Sequence, residues 1–222
     1  MKKLLLVTLM ILVTLCASAS AEKEIYPFHL LDMETYGEGT STVSAMIHPD
    51  QIDENGCMTY EVYDLDLYKT EEVLALEPGD KVCVYNEMMT VEKVSCKDSE
   101  IYINGGFFFE ENEEGKEGEQ GATLWMVEED PTVCVAVMYE DLNETMIGQA
   151  SFPLANPVTV ISFQWGEDGN WNGEYDVAEV APADFADYMQ KLKENDVSYD
   201  AGCTALTLTD GLITEIRIEW HP

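Results

Sequence analysis

Thr204-Ala-Leu-Thr-Leu-Thr209 and Leu212-Ile-Thr-Glu-Ile-Arg-Ile-Glu-Trp220, joined by Asp210-Gly211, decide the fold class. Both runs are rich in β-branched and alternating apolar residues. Asp-Gly suits a two-residue hairpin turn, because both of its positions need positive φ. The stretch predicts a closing β-hairpin with Leu212, Thr214, Ile216, Ile218 and Trp220 on one face.

The same signature recurs upstream at intervals of about ten residues. Strands are expected at Thr40–Ile47, Met58–Leu67, Lys81–Tyr85, Met89–Ser95, Glu100–Phe109, Ala122–Val127, Thr132–Tyr139, Met146–Phe152 and Val158–Trp165. Thr70–Leu76 reads as one or two helical turns, stopped by Pro78-Gly79-Asp80. One longer helix is expected near 182–195, where Phe185, Tyr188, Met189 and Leu192 recur at helical spacing behind Pro182. The expected class is therefore mainly β (α+β): small barrel-like or sandwich β-sheets, one amphipathic helix and a C-terminal hairpin. The composition shift at Pro153 to Pro157 suggests a barrel-like domain over 22–155. Residues 156–222 would then form a smaller β-loop-helix-hairpin part, separate or continuous with the first.

Residues 1–21 read as an export signal: Met1-Lys2-Lys3, an apolar run from Leu4 to Leu15, and Ala19-Ser20-Ala21 before the cut. A dozen apolar residues are too few to span a bilayer, and no later stretch replaces them, so no transmembrane segment is expected in the mature chain. Lipidation at Cys16 is the competing outcome, disfavoured by Leu15 where a small residue is expected. The expected location is secreted or cell surface, as in a bacterial envelope.

Without the signal, 9 basic residues face 44 acidic ones. Nucleic acid and anionic lipid need clustered cations, so both are poor partners; the acid serves to keep the protein soluble, or its field attracts a cationic extracellular partner, with carbohydrate as the other candidate. With 46% hydrophobic residues, 11 Tyr, 7 Phe and 4 Trp, the acid does not prevent a core. Five Cys (Cys57, Cys83, Cys96, Cys134, Cys203) remain, without a C-x-x-C pair, so neither a zinc site nor a redox motif is indicated. The acidic run Glu110 to Gly121 reads as a solvated hairpin loop or as an arm for a cationic partner.

The turn Leu76-Glu-Pro-Gly-Asp80 within Thr40 to Phe109 suggests a small barrel of the OB or SH3 kind. With the closing Asp210-Gly-Leu-Ile-Thr-Glu-Ile216, it resembles small uncharacterised exported β-rich proteins of Gram-positive bacteria. That resemblance brings no functional residues with it.

The sharpest local signal is Asp168-Gly-Asn170-Trp-Asn172-Gly173-Glu174-Tyr-Asp176-Val-Ala-Glu179, which resembles an EF-hand-type calcium loop at every specified position. The resemblance implies a calcium site with side-chain oxygens from Asp168, Asn170 and Asn172, the Glu174 carbonyl, Asp176 through water and bidentate Glu179. Against it, the entering segment reads as a strand, and Pro182 biases Ala181 away from helix. A plain Asn/Gly-rich connection is the alternative.

Catalytic motifs are lacking: there is no H-E-x-x-H, G-x-S-x-G or phosphate loop, and His29, His48 and His221 are isolated. The expectation is an acidic binding or structural protein rather than an enzyme, calcium-stabilised if the loop is occupied. The alternatives are a carboxylate-based hydrolase of an extracellular polymer, or a carbohydrate-binding module using Trp165, Trp171 and Tyr175.

Overall fold

The computed structural model describes residues 22–106, 121–138, 141–165, 171–195, 197, 199 and 202–219. The expected signal segment, His221 and nearly all of the acidic run lie outside them. In chain order the strands are β1 Glu24–Ile25, β2 Thr40–Ile52, β3 Cys57–Leu65, β4 Leu67–Lys69, β5 Lys81–Val84, β6 Glu87–Thr90, β7 Val94–Lys97 and β8 Glu100–Ile103. They continue as β9 Ala122–Met126, β10 Val133–Met138, β11 Asp141–Leu142, β12 Glu144–Trp165, β13 Trp171–Val180, β14 Thr204–Thr209 and β15 Leu212–Ile218. Two helices accompany them, α1 Thr70–Leu74 and α2 Phe185–Glu194. The protein is mainly β, as the alternating runs imply. Among the described residues no helix is long and apolar enough to cross a membrane.

The chain divides into two compact units whose segments alternate along the sequence. Residues 22–27 and 68–141 form an inserted unit, whereas 28–67 and 142–222 form a barrel unit. This corrects the expected boundary at 155/156, which falls inside β12. It also corrects the single barrel expected over Thr40 to Phe109, since β2 and β3 belong to one unit and β5 to β8 to the other.

In the barrel unit the strand pairing closes on itself: β12 to β15, β14, β2, β3 and back to β12, with β13 attached outside on β12. The length of β12 makes this closure feasible. Its first part runs antiparallel to β3, from Glu144 opposite Leu65 to Pro153 opposite Cys57. Its last part runs parallel to β15 and antiparallel to β13. Pro153 and Pro157 lack the N–H that a ladder needs, so they stand where β12 changes partners. The composition shift there marks a strand exchange rather than a domain boundary.

Alternation builds the core. Val43, Ala45 and Ile47 of β2 and Met58, Tyr60 and Val62 of β3 are buried at every second position, against Val158, Val160, Leu206, Leu208, Ile216 and Ile218. Phe185 and Met189 of α2 complete this core, with Tyr188 and Leu192 packed beside them. These are the four residues whose helical spacing predicted the helix.

The closing hairpin turns at Asp210 (φ 50) and Gly211 (φ 76), as Asp-Gly requires. Its faces differ from simple alternation. Thr207 pairs Glu215 whereas Leu208 pairs Ile213, which leaves Thr214 as an extra residue in β15. This bulge swaps the faces, so Ile213 is buried and Leu212 is 42% exposed.

Segment 28–39 packs Leu31, Met33 and Tyr36 onto the same core. Tyr36 shares a 2.8 Å hydroxyl contact with Tyr60 and meets Phe152 edge-on at 5.7 Å. Burial pushes the Tyr36 phenol up to about 12 and raises that of Tyr60 as well.

In the inserted unit β1 runs parallel to β5, and β5 pairs β6. A second sheet of β7, β8, β9 and β10 carries β4 and β11 on β10. Tyr68, Val73, Val82, Ile101, Ile103, Leu124 and Cys134 form the core. The expected strand Met89–Ser95 is two strands, β6 and β7, on either side of buried Val91. The Asp80 carboxylate accepts from the Glu77 N–H (2.8 Å) and the Lys23 N–H (2.9 Å), fixing the Pro-Gly-Asp turn. Cys134 is a buried free thiol, and burial pushes it up to about 11; Cys96 is free and exposed.

Candidate binding edge

The stretch that resembles a calcium loop proves to be one side of a β-hairpin. β13 pairs antiparallel with β12 in unbroken register from Tyr175 opposite Phe163 to Val180 opposite Val158. Beyond Tyr175 the register shifts, and Trp171 faces Trp165. Three residues, Asn172, Gly173 and Glu174, therefore stand against Gln164 alone. Gly173 adopts φ 84, the left-handed conformation that a bulge assigns to glycine. The glycine that an EF-hand needs for its sharp turn serves here as the hinge of a strand irregularity.

This arrangement corrects the EF-hand geometry for the described members of the set. Glu174, Asp176 and Glu179 lie on extended backbone. Positions of odd separation on a strand face opposite ways, so Asp176 and Glu179 cannot close on one ion as a coiled loop would require. Asn172 begins the irregularity; Asp168 and Asn170 lie outside the described residues. Among the described residues no group of three or more His, Cys, Asp or Glu is arranged to hold a metal ion.

On one face of β13, Asp176, Ala178 and Val180 follow Ser162, Val160 and Val158 of β12. Asp176 accepts from the Gln164 amide; burial, and after it the Asp176 charge, raises the Tyr188 phenol. On the other face Tyr175, Val177 and Glu179 follow Phe163, Ile161 and Thr159. Phe163 and Ile161 are buried, but Tyr175 is 37% and Val177 68% exposed. Among the described side chains, Val177 is the most exposed large apolar residue on a strand.

The backbone adds a second property. The other five strands of this sheet pair in a closed ring, whereas β13 pairs with β12 alone, so its outer edge is open among the described residues. An open edge presents backbone donors and acceptors to any extended chain that can lie beside it. Sequence reasoning missed this strand: Glu174-Tyr-Asp-Val177 alternates with period two, but Ala178-Glu-Val180 inverts the phase. The calcium pattern across the same residues masked it.

One further carboxyl stands out. Asp66 is 1% exposed, and its Oδ2 accepts from Asn143 Nδ2 (2.7 Å) and Thr145 Oγ1 (3.1 Å), while its buried Oδ1 has no partner. Burial raises its pKa above 3.8, opposed by its two hydrogen bonds and by His29, and reinforced by Asp64. A general acid for hydrolysis also has a raised pKa, but it must reach substrate. Asp66 is sealed in, and it ties segment 143–145 to β3, helped by the Asp66 N–H donating to the Asn143 carbonyl at 3.1 Å. Asp64 does the same for the N-terminal segment, accepting from the Leu30 and Leu31 amides at 2.9 and 2.8 Å. His29 sits 3.2 Å from the Leu65 carbonyl, and His48 is 3.6 Å from Glu61, whose other oxygen accepts from Tyr63.

No family model matches the chain, and neither a curated protein nor a solved structure matches it. The geometry of β13 therefore carries the functional argument.

Proposed function

We propose that this protein is an exported acidic binding protein that recognises an extended polypeptide by adding it as a strand beside β13. One observation supports the reading above the others: β13 lies outside the closed ring of strands with its outer edge unpaired among the described residues, and there Val177 and Tyr175 stand exposed. Main-chain hydrogen bonds supply affinity in such recognition, and alternate side chains supply selectivity. No reaction is assigned.

The test is amide exchange across Tyr175–Val180 in the presence of short extended peptides. Strand addition protects alternate amides of this segment, those turned away from β12. Uniform or absent protection rejects it. A calcium-stabilised form of the reading depends on Asp168 and Asn170, and melting in chelator against millimolar calcium examines it separately.

A further inference from the structure

Given strand addition at β13, we infer that the added strand is cationic, with Lys or Arg alternating with β-branched residues. The regular part of the edge, Tyr175–Val180, spans six residues, or about 20 Å of extended chain. One side of it offers Tyr175 and Val177, and the other offers Asp176. A strand laid alongside with alternating character sets its apolar residues against Val177 and Tyr175 and its cations against Asp176. Glu179, at the end of the apolar face, adds its charge to the field that those cations meet.

Charge selects this partner over the alternative, a second copy of the chain. β13 contains three acids and no base among its ten residues. An antiparallel pairing of two β13 strands brings six carboxylates onto one ribbon with no base to offset them, and the register centred on Asp176 sets that carboxylate against its own copy; like charges opposed across strands destabilise the pair. The net charge of −33 adds repulsion at longer range. Arg217, opposite Ile161 on β15, is held by Glu215 at 3.4 Å. Edge strands are ordinarily blunted by lysine, proline or brevity, and β13 has none of these. Its acids repel a copy of itself and attract a base.

The experiment measures binding and amide exchange of the intact protein with three capped heptapeptides, alternating Lys/Val, Glu/Val and Ser/Val. The expected result is alternate protection within Tyr175–Val180 by the Lys/Val peptide, at least about tenfold tighter than Glu/Val. Its affinity should fall severalfold as salt rises from about 0.1 M to about 1 M, which shortens the screening length from about 10 Å to about 3 Å. Asp176→Asn with Glu179→Gln should abolish the preference for Lys/Val over Glu/Val. If all three peptides protect the edge equally, the cationic assignment is overturned and strand addition stands. If the Lys/Val peptide binds without protecting Tyr175–Val180, or none binds, strand addition itself falls and the assignment with it. Salt dependence on the unaltered protein keeps the test decisive should the double variant fail to fold.

Discussion

Asp66 and Asp80 are two carboxyls in one chain with opposite thermodynamic signs. Asp80 accepts two backbone N–H bonds, which hold its pKa below 3.8, so its contribution is present above the unfolded value and lost as pH falls through the folded one. Asp66 has a raised pKa, so its burial costs nothing below about 3.8 and costs more as pH climbs toward and past the folded value. Asp66→Asn keeps an acceptor toward Asn143 and Thr145 and removes the buried charge. It should raise the melting temperature at neutral pH by a few degrees, worth on the order of 1 kcal/mol, with the gain vanishing near pH 3. Thermal melts of both proteins across pH check this, and an unchanged difference at every pH would refute the charge argument. A second residue-scale prediction concerns Gly37, at φ 98, where an added Cβ would lie 2.5 Å from the Phe152 ring. Gly37→Ala should destabilise by about 1 kcal/mol or more, read as a lower denaturant midpoint at unchanged slope. Neither residue was legible in the sequence. Asp66 sits in Tyr63-Asp-Leu-Asp-Leu67 beside an equally ordinary acid, and only packing from Asn143 and Thr145, 77 and 79 positions away, separates the two.

Elements were legible where the signal is local. Asp210-Gly211 specified its own turn, and the spacing of Phe185, Tyr188, Met189 and Leu192 specified α2, because turn chemistry and helical periodicity need no distant partner. The two strand irregularities were not legible in the same way. The bulge at Thr214 inverts the faces of β15, and Gly173 opens β13, yet both are consequences of register against a neighbouring strand. The Asp-x-Asn-x-Asn-Gly spacing misled for a physical reason: small polar residues and glycine suit both a cation loop and a strand-to-strand connection. The strand assignment predicts that Glu179→Gln melts at the same temperature as the parent in millimolar calcium. A calcium-dependent difference of several degrees would instead restore Glu179 as a ligand. It also predicts that Gly173→Asn costs less than Gly173→Ala, since nothing lies within 4 Å of the added carbon and the penalty is one of positive φ alone.

For the whole molecule, composition was a sound guide to charge and to the presence of a core, and a poor guide to how the chain is divided. Pro153 and Pro157 looked like a boundary because prolines interrupt ladders. The actual division follows pairings such as Thr40 with Thr209, 169 residues apart, which no local pattern encodes. The charge of −33 has its own consequence for stability. Self-repulsion of a folded polyanion is relieved by screening, so melting should rise by a few degrees as salt increases from about 0.01 M to about 0.1 M. A flat response would show that the acids are spaced widely enough not to oppose folding.

The closed pairing also sets an order of events for a chain that emerges N-terminus first. β2 and β3 appear early, but their ring partners β12, β14 and β15 follow only after the entire inserted unit has been delivered. Throughout that interval the β2–β3 hairpin is a two-stranded fragment with both outer edges unsatisfied, which is marginal alone and prone to pair wrongly. The inserted unit has all of its strands in hand while the barrel unit waits. Completion of the barrel therefore depends on about the last tenth of the chain, and a ribosome that stalls before β14 holds a chain with its inserted unit finished and its barrel unfinished.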